Sequence, residues 1–303
     1  MDITWKKIEL EDKETIEKYF REEQPMNCEF TFANLYLWSR QYPTQYTVIF
    51  DTLVFLAMRE GKEAVTFPCG HGDVKGAIHL LREHFQKTGK DFILYLVTED
   101  KFALLEEWFP DTFEITYDRD VADYIYESEK LITLSGKKLH SKRNHINVFK
   151  SKNQWSYEPL KQENVEECFQ MALKWRSKNC QEDEEDKMAE VCVTFNALRL
   201  FEELELIGGV LRIDGEVVAF TIGEAANKDT FVIHIEKAFA EIQGAYPMIN
   251  QQFAQHELSA YKYINREEDT GSEGLRKSKL SYKPVFLIEK GIVKEKRKGS
   301  SGN

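Results

Sequence analysis

Between Thr230 and Ala238 the chain alternates residue by residue. An extended strand there places Phe231, Ile233 and Ile235 on one face and Val232, His234 and Glu236 on the other, so a carboxylate lies near the strand's C-terminal end. The turn Glu241–Pro247 follows, where Gly244 and the small Ala245 permit close approach of the backbone to a ligand. Apolar positions from there to Leu258 recur at helical spacing, and Pro247 falls in the predicted first turn, where its missing N–H breaks no helical bond. Upstream, two strand-like runs, 205–213 and 216–224, are joined by Asp214-Gly215, a strong two-residue hairpin signal. Downstream come a short strand (261–266), a turn-rich stretch (267–274) and a last strand (285–291).

The first half reads in the same alphabet. A hairpin around Asp51, a strand at 63–68, a helix from Asp73 to about Thr88, a strand at 91–98, a helix at 101–109 and a strand pair across 113–127 make a mixed α/β set. The segment opening at Trp5 also matches the one opening at Trp155, pairing Leu10 with Leu160, Glu17 with Glu167 and Tyr19 with Phe169. Both read as strand, polar turn and helix. With 303 residues, this repeat predicts two similar domains, 1–150 and 151–303, the first ending in a basic linker over 135–150.

Charge narrows the partners. A formal net charge of −11 argues against a protein that coats nucleic acid nonspecifically, and no DNA partner is expected. The dense basic segment Lys137–Lys152 is nevertheless a local candidate for phosphate contact through Lys142 and Arg143, or else a solvated linker helix. Five scattered cysteines show no C-x-x-C pair, and Cys69 and His71 have no ligand partners in sequence, so no metal is expected. No apolar run is long enough to span a bilayer and the opening residues lack a signal-peptide core, which predicts a cytoplasmic protein. The acidic run Gln181–Asp186 is expected to be a solvated loop, and the basic tail after Gly291 to be disordered.

A three-strand meander, a turn opening a helix and then a splayed strand is the element order of the GNAT acyltransferase fold, whose signature glycine corresponds to Gly244. The stretches Phe231–Ala254, Ile264–Pro284 and Leu134–Phe149 resemble more specifically a bacterial family related to the C-terminal domain of phosphatidylglycerol lysyltransferases. That family is similar to the tandem GNAT proteins of the Fem aminoacyltransferase group. Its closing motif, Lys-x-Lys-Phe-x-Pro, is matched by Lys279, Tyr282 and Pro284, with Ser281 in place of the second lysine. The resemblance implies mixed α/β sheets in tandem duplicated GNAT-like domains. It also implies acyl transfer, with an aminoacyl-tRNA or an acyl-CoA as donor and no covalently bound cofactor. The acceptor, an amine or hydroxyl, belongs to a small molecule, a peptide or a lipid headgroup.

Such chemistry needs a proton acceptor, a donor for the developing oxyanion, and positive charge where phosphates sit. Glu236 and Asp269 are the candidate bases, and Lys279 the candidate donor to the carbonyl oxygen. Gly244, Ala245, Tyr246, Asn250, Arg276, Lys142 and Arg143 are the candidates for holding the donor substrate. Arg276 and Lys279, three apart, share one face of a short helix. A lone strand histidine such as His234 reads as a packed residue. The apolar stretch Cys28–Trp38 suits packing or an acceptor groove in the first domain. A noncatalytic binding module for an acylated ligand or protein partner remains the alternative.

Overall fold

The computed structural model describes residues 3–180 and 185–296. Gln181–Glu184 of the acidic run and the end of the basic tail lie outside the described residues. In chain order the elements are β1 (Lys6–Lys7), α1 (Lys13–Glu23), α2 (Phe32–Ser39), β2 (Thr44–Ile49), β3 (Thr52–Arg59), β4 (Lys62–Thr66), α3 (Val74–Lys87), β5 (Ile93–Val97), α4 (Glu99–Trp108) and β6 (Phe113–Glu127). There follow α5 (Ser128–Thr133), α6 (His140–Lys152), β7 (Trp155–Pro159), α7 (Gln162–Asn179), α8 (Glu185–Arg199), β8 (Ile207–Ile213) and β9 (Glu216–Ala225). The last are β10 (Thr230–Ala238), α9 (Ala245–His256), β11 (Tyr263–Asn265), α10 (Glu273–Ser281) and β12 (Phe286–Glu295).

Among the described residues, one compact unit gathers 3–23, 42–122 and 288–296, and the other 24–41 and 123–287. A single cut at 150 therefore does not separate them. The chain passes between units inside continuous strands: the strand pair expected over 113–127 is the one long strand β6, and β12 runs on to Glu295. Residues just past Gly291, expected in a disordered tail, are strand, with Val293 fully buried opposite Leu94.

In the first unit the strands run β1-β2-β3-β4-β5-β12, antiparallel except for the parallel β4–β5 pair. Ile78, Leu81 and Phe85 of α3 are buried with Leu94 and Val97 in its core, the i, i+3, i+7 stripe that makes the helix amphipathic.

The second unit orders its strands β6-β11-β10-β9-β8-β7. Asp214 and Gly215 both have positive φ, 50° and 88°, as a twist-matched two-residue hairpin turn requires. Helix α9 packs Ala245, Met248, Ile249 and Phe253 into the core beside Phe231 and Ile264. Truncating the fully buried Phe253 to Ala would cost about 3–5 kcal/mol. The strict alternation expected of β10 breaks at a bulge between Ile233 and Ile235, where its register against β9 shifts. Residues 24–41, expected in the first domain, belong to this second unit.

Candidate active site

The parallel pairing of β11 with β10 ends at Asn265 opposite Val232, while β10 continues to Ala238. Beyond Val232 no strand among the described residues pairs with that side of β10. The splay expected from the element order is therefore present, and Glu236 lies within it.

Three elements bring polar side chains to this opening. Glu236 is supplied by β10, Asn250 by the second turn of α9, and Arg266 by the residue that follows β11. Asn250 Nδ2 donates to Glu236 Oε2 at 2.9 Å, and Arg266 Nη2 donates to Glu236 Oε1 at 3.0 Å. The carboxylate thus fixes which way the amide points, with Asn250 Oδ1 turned away. Both Asn250 Oδ1 and Arg266 Nη1 are buried without a hydrogen-bond partner. Leaving a buried polar atom unpaired costs about 1–3 kcal/mol, so each of these two atoms can take a further partner, a water or a ligand group.

Aromatic rings wall the cluster. The Arg266 guanidinium carbon is 4.8 Å from the Tyr282 ring centroid and 5.8 Å from that of Tyr126. Burial pushes both phenols above their ordinary range, so they stay neutral. The amine of Lys142, from α6, also packs on Tyr282, 4.0 Å from the ring centroid. This contact places the basic segment 137–152 beside the C-terminal end of α10.

The other expected site residues take different places. Gly244 adopts φ 88°, and a Cβ there would meet the His145 carbonyl oxygen at 2.4 Å. On the side a Cβ would occupy, the turn approaches helix α6 closely, and Ala245 is buried in the core beneath. Tyr246 is hydrogen-bonded to Trp175 and to the main chain of Ala238, and burial raises its pKa. Arg143 donates to the carbonyls of Leu134 and Gly136, bracing a turn rather than facing a phosphate.

Asp269 has the bonds of an anchor rather than a base. It accepts from Arg276 Nε at 2.9 Å and Nη2 at 2.7 Å, from the Tyr124 hydroxyl and from the Gly271 amide. Burial alone would raise its pKa, but these donors outweigh it and hold the carboxyl well below the usual range. Arg276 is correspondingly committed to Asp269. Lys279, expected as the donor to the reacting carbonyl, instead donates from Nζ to the main-chain carbonyls of Arg266 and Glu268. It secures the loop from which Arg266 projects, and Tyr126 donates back to the Lys279 carbonyl at 2.8 Å.

Arg266, the centre of the cluster, was not singled out by sequence reasoning. Its one signal is its position directly after a short strand, inside the stretch that carries the family resemblance. A second buried polar group was read only as packing. His234 bonds Glu267 Oε1 through Nδ1 at 2.7 Å and Glu224 Oε1 through Nε2 at 2.9 Å. Burial lowers its pKa, but the two carboxylates prevail and raise it to about 10, so His234 is an imidazolium. Glu224 also accepts from the Ala33 and Asn34 amides at the start of α2.

The family model for phosphatidylglycerol lysyltransferase, C-terminal, matches residues 20–293. A conserved protein of unknown function from Bacteroides thetaiotaomicron is 41% identical, with a TM-score of 0.92 over 97% of this chain and 100% of that one. The structure of L-PGS from Bacillus licheniformis, 18% identical, superposes with a TM-score of 0.66 over 95% of this chain and 93% of that one, and shares the fold. An uncharacterized protein of Mycoplasmoides gallisepticum is 25% identical over 210 residues, 67% of this chain and 66% of that protein. Family and fold together point to an acyltransferase of mixed α/β architecture, and no helix among the described residues is long and apolar enough to cross a membrane. The chain belongs to the family of phosphatidylglycerol lysyltransferase C-terminal domains.

Proposed function

We propose that the protein is an aminoacyltransferase, moving an amino acid from an aminoacyl-tRNA to an amine or hydroxyl acceptor at the splayed end of β10. The observation that carries this reading is the Glu236–Asn250–Arg266 cluster with its two unpaired atoms. An aminoacyl ester differs from a simple acyl group by an ammonium beside the carbonyl. Glu236 and Asn250 Oδ1 offer that ammonium a carboxylate and an acceptor, and Arg266 Nη1 offers the carbonyl oxygen a donor whose value grows as the oxyanion forms. A plain acyl-CoA carries no ammonium beside its carbonyl for the unpaired Asn250 Oδ1 to accept from. Lys279 and Asp269 then act by positioning Arg266 and its loop.

The experiment is transfer of a labelled amino acid from a mixture of charged tRNAs, with acetyl-CoA as the competing donor, to hydroxylamine and a panel of amines, alcohols and lipid headgroups. Enzyme-dependent transfer from one or more charged tRNAs supports the reading. Transfer from acetyl-CoA alone would change the donor, and binding of charged tRNA without transfer would favour the noncatalytic module.

A further inference from the structure

Buried lysines in the second unit are committed. Lys237 pairs with Glu190, and Lys279 donates to two carbonyls. Lys142 differs. It is half-buried in the first turn of α6, packed on the Tyr282 ring, and among the described residues no carboxylate or carbonyl accepts a hydrogen bond from its amine. The charged groups around it are Glu236 from β10 and Arg266 from beyond β11, and the neighbouring phenols of Tyr282 and Tyr126 are neutral. Burial and, secondarily, Arg266 disfavour the ammonium, and the Glu236 carboxylate only partly offsets them. The amine is pushed down to about 8. A lysine in this state holds a larger free-amine fraction at mildly alkaline pH than a surface lysine, and its amine packs on the same Tyr282 ring as the Arg266 guanidinium.

We propose that Lys142 is the proton acceptor of the transfer site, an assignment that rests on the aminoacyltransferase reading. The acceptor's nitrogen or oxygen bonds to the donor carbonyl carbon, and the free amine of Lys142 takes the proton that the nucleophile sheds. The ester bond to the tRNA ribose breaks, and the ribose oxygen leaves with the electron pair. It takes up the proton carried by Lys142, which restores the amine and balances the exchange without any further reactant. Burial and, secondarily, the permanently charged Arg266 ease release of the proton from the amine, while Arg266 holds the oxyanion. Lys142 thus becomes a base, where the sequence suggested a phosphate contact.

Single-turnover transfer from charged tRNA, followed from pH 6 to 10, tests this. The wild-type rate should rise with a midpoint near 8. Lys142→Arg, which keeps the charge but cannot release the proton, should be slower by about 100-fold or more and lose that midpoint. Trace labelling with acetic anhydride, read lysine by lysine by mass spectrometry, supplies a substrate-free arm. Lys142 should label with a midpoint near 8 and surface lysines near about 10.4. A Lys142→Arg protein with wild-type rate and pH profile overturns the proposal alone, as does a labelling midpoint for Lys142 equal to that of surface lysines. A wild type that transfers from no charged tRNA overturns the underlying reading, and this proposal with it.

Discussion

Two residues apart on β10 stand two buried ionic clusters with opposite character. At His234 every strong donor and acceptor of the ring is used: both nitrogens meet carboxylates, and those carboxylates also accept from Ala33, Asn34 and the Asn34 amide side chain. At Glu236 the carboxylate is satisfied, but Arg266 Nη1 and Asn250 Oδ1 are left over. Both clusters carry the desolvation cost of buried charge. The first offsets it internally and so serves architecture, tying α2 to the sheet. The second is complete only when something else supplies an acceptor and a donor. What distinguishes the second cluster from the first is thus its open hydrogen-bond inventory, more than burial or charge.

The largest effect should fall on the closed cluster. His234→Gln leaves Glu224 and Glu267 facing each other without the cation between them, and urea unfolding should show a loss of about 3–5 kcal/mol. Because the folded pKa of His234, about 10, lies above the ordinary histidine value of 6.5, the stability it contributes is fully present below about 6.5 and is lost as pH rises through about 10. The gap between wild type and His234→Gln should therefore narrow between pH 7 and 10. A gap that widens over that range would mean the ring is not an imidazolium in the folded protein.

Next comes the open cluster. Arg266→Lys keeps a cation beside Glu236 but removes the planar fork, and transfer should fall by about 100- to 1000-fold with a smaller loss of stability than His234→Gln. Equal losses of stability in the two variants, with transfer intact in Arg266→Lys, would erase the distinction between the clusters. A smaller effect is expected from Asn250→Leu, which withdraws the unpaired acceptor and one donor to Glu236. The concentration of charged tRNA giving half-maximal transfer should rise by about 10-fold, the value of one hydrogen bond to a charged group. No change would show that Asn250 Oδ1 faces no ligand.

The contrast also explains what could be read from the chain beforehand. Glu236, Asn250 and Lys142 were legible because each sits in a pattern with a period: a strand alternation, a helix opening after Gly244, a basic amphipathic segment. Arg266 follows a strand of only three residues, and nothing local distinguishes it from an exposed arginine. Its role depends on where β11 stops relative to β10, a long-range property. The bulge at Ile233–Ile235 is invisible for the same reason, since an inserted residue leaves the apolar pattern unchanged. Gly244 is expected to let the backbone approach a ligand, whereas the group that its missing Cβ makes room for is the His145 carbonyl, a partner that the sequence does not name. Residues 24–41 were grouped with their neighbours in sequence, whereas Glu224 and Asn265 hold them to the second unit through the Ala33 amide and the Met26 carbonyl.

The central claim is that the open cluster reads the ammonium and the carbonyl of an aminoacyl group together. Calorimetric titration with a non-hydrolysable 3′-aminoacylamino-3′-deoxyadenosine, against the same compound with its α-amino group replaced by hydrogen, addresses it directly. Wild type should prefer the aminoacyl compound by about 10-fold or more, the value of one charge-assisted contact, and Glu236→Gln should abolish the preference. Equal affinity for the two compounds in the wild type, or a preference that survives in Glu236→Gln, would contradict it.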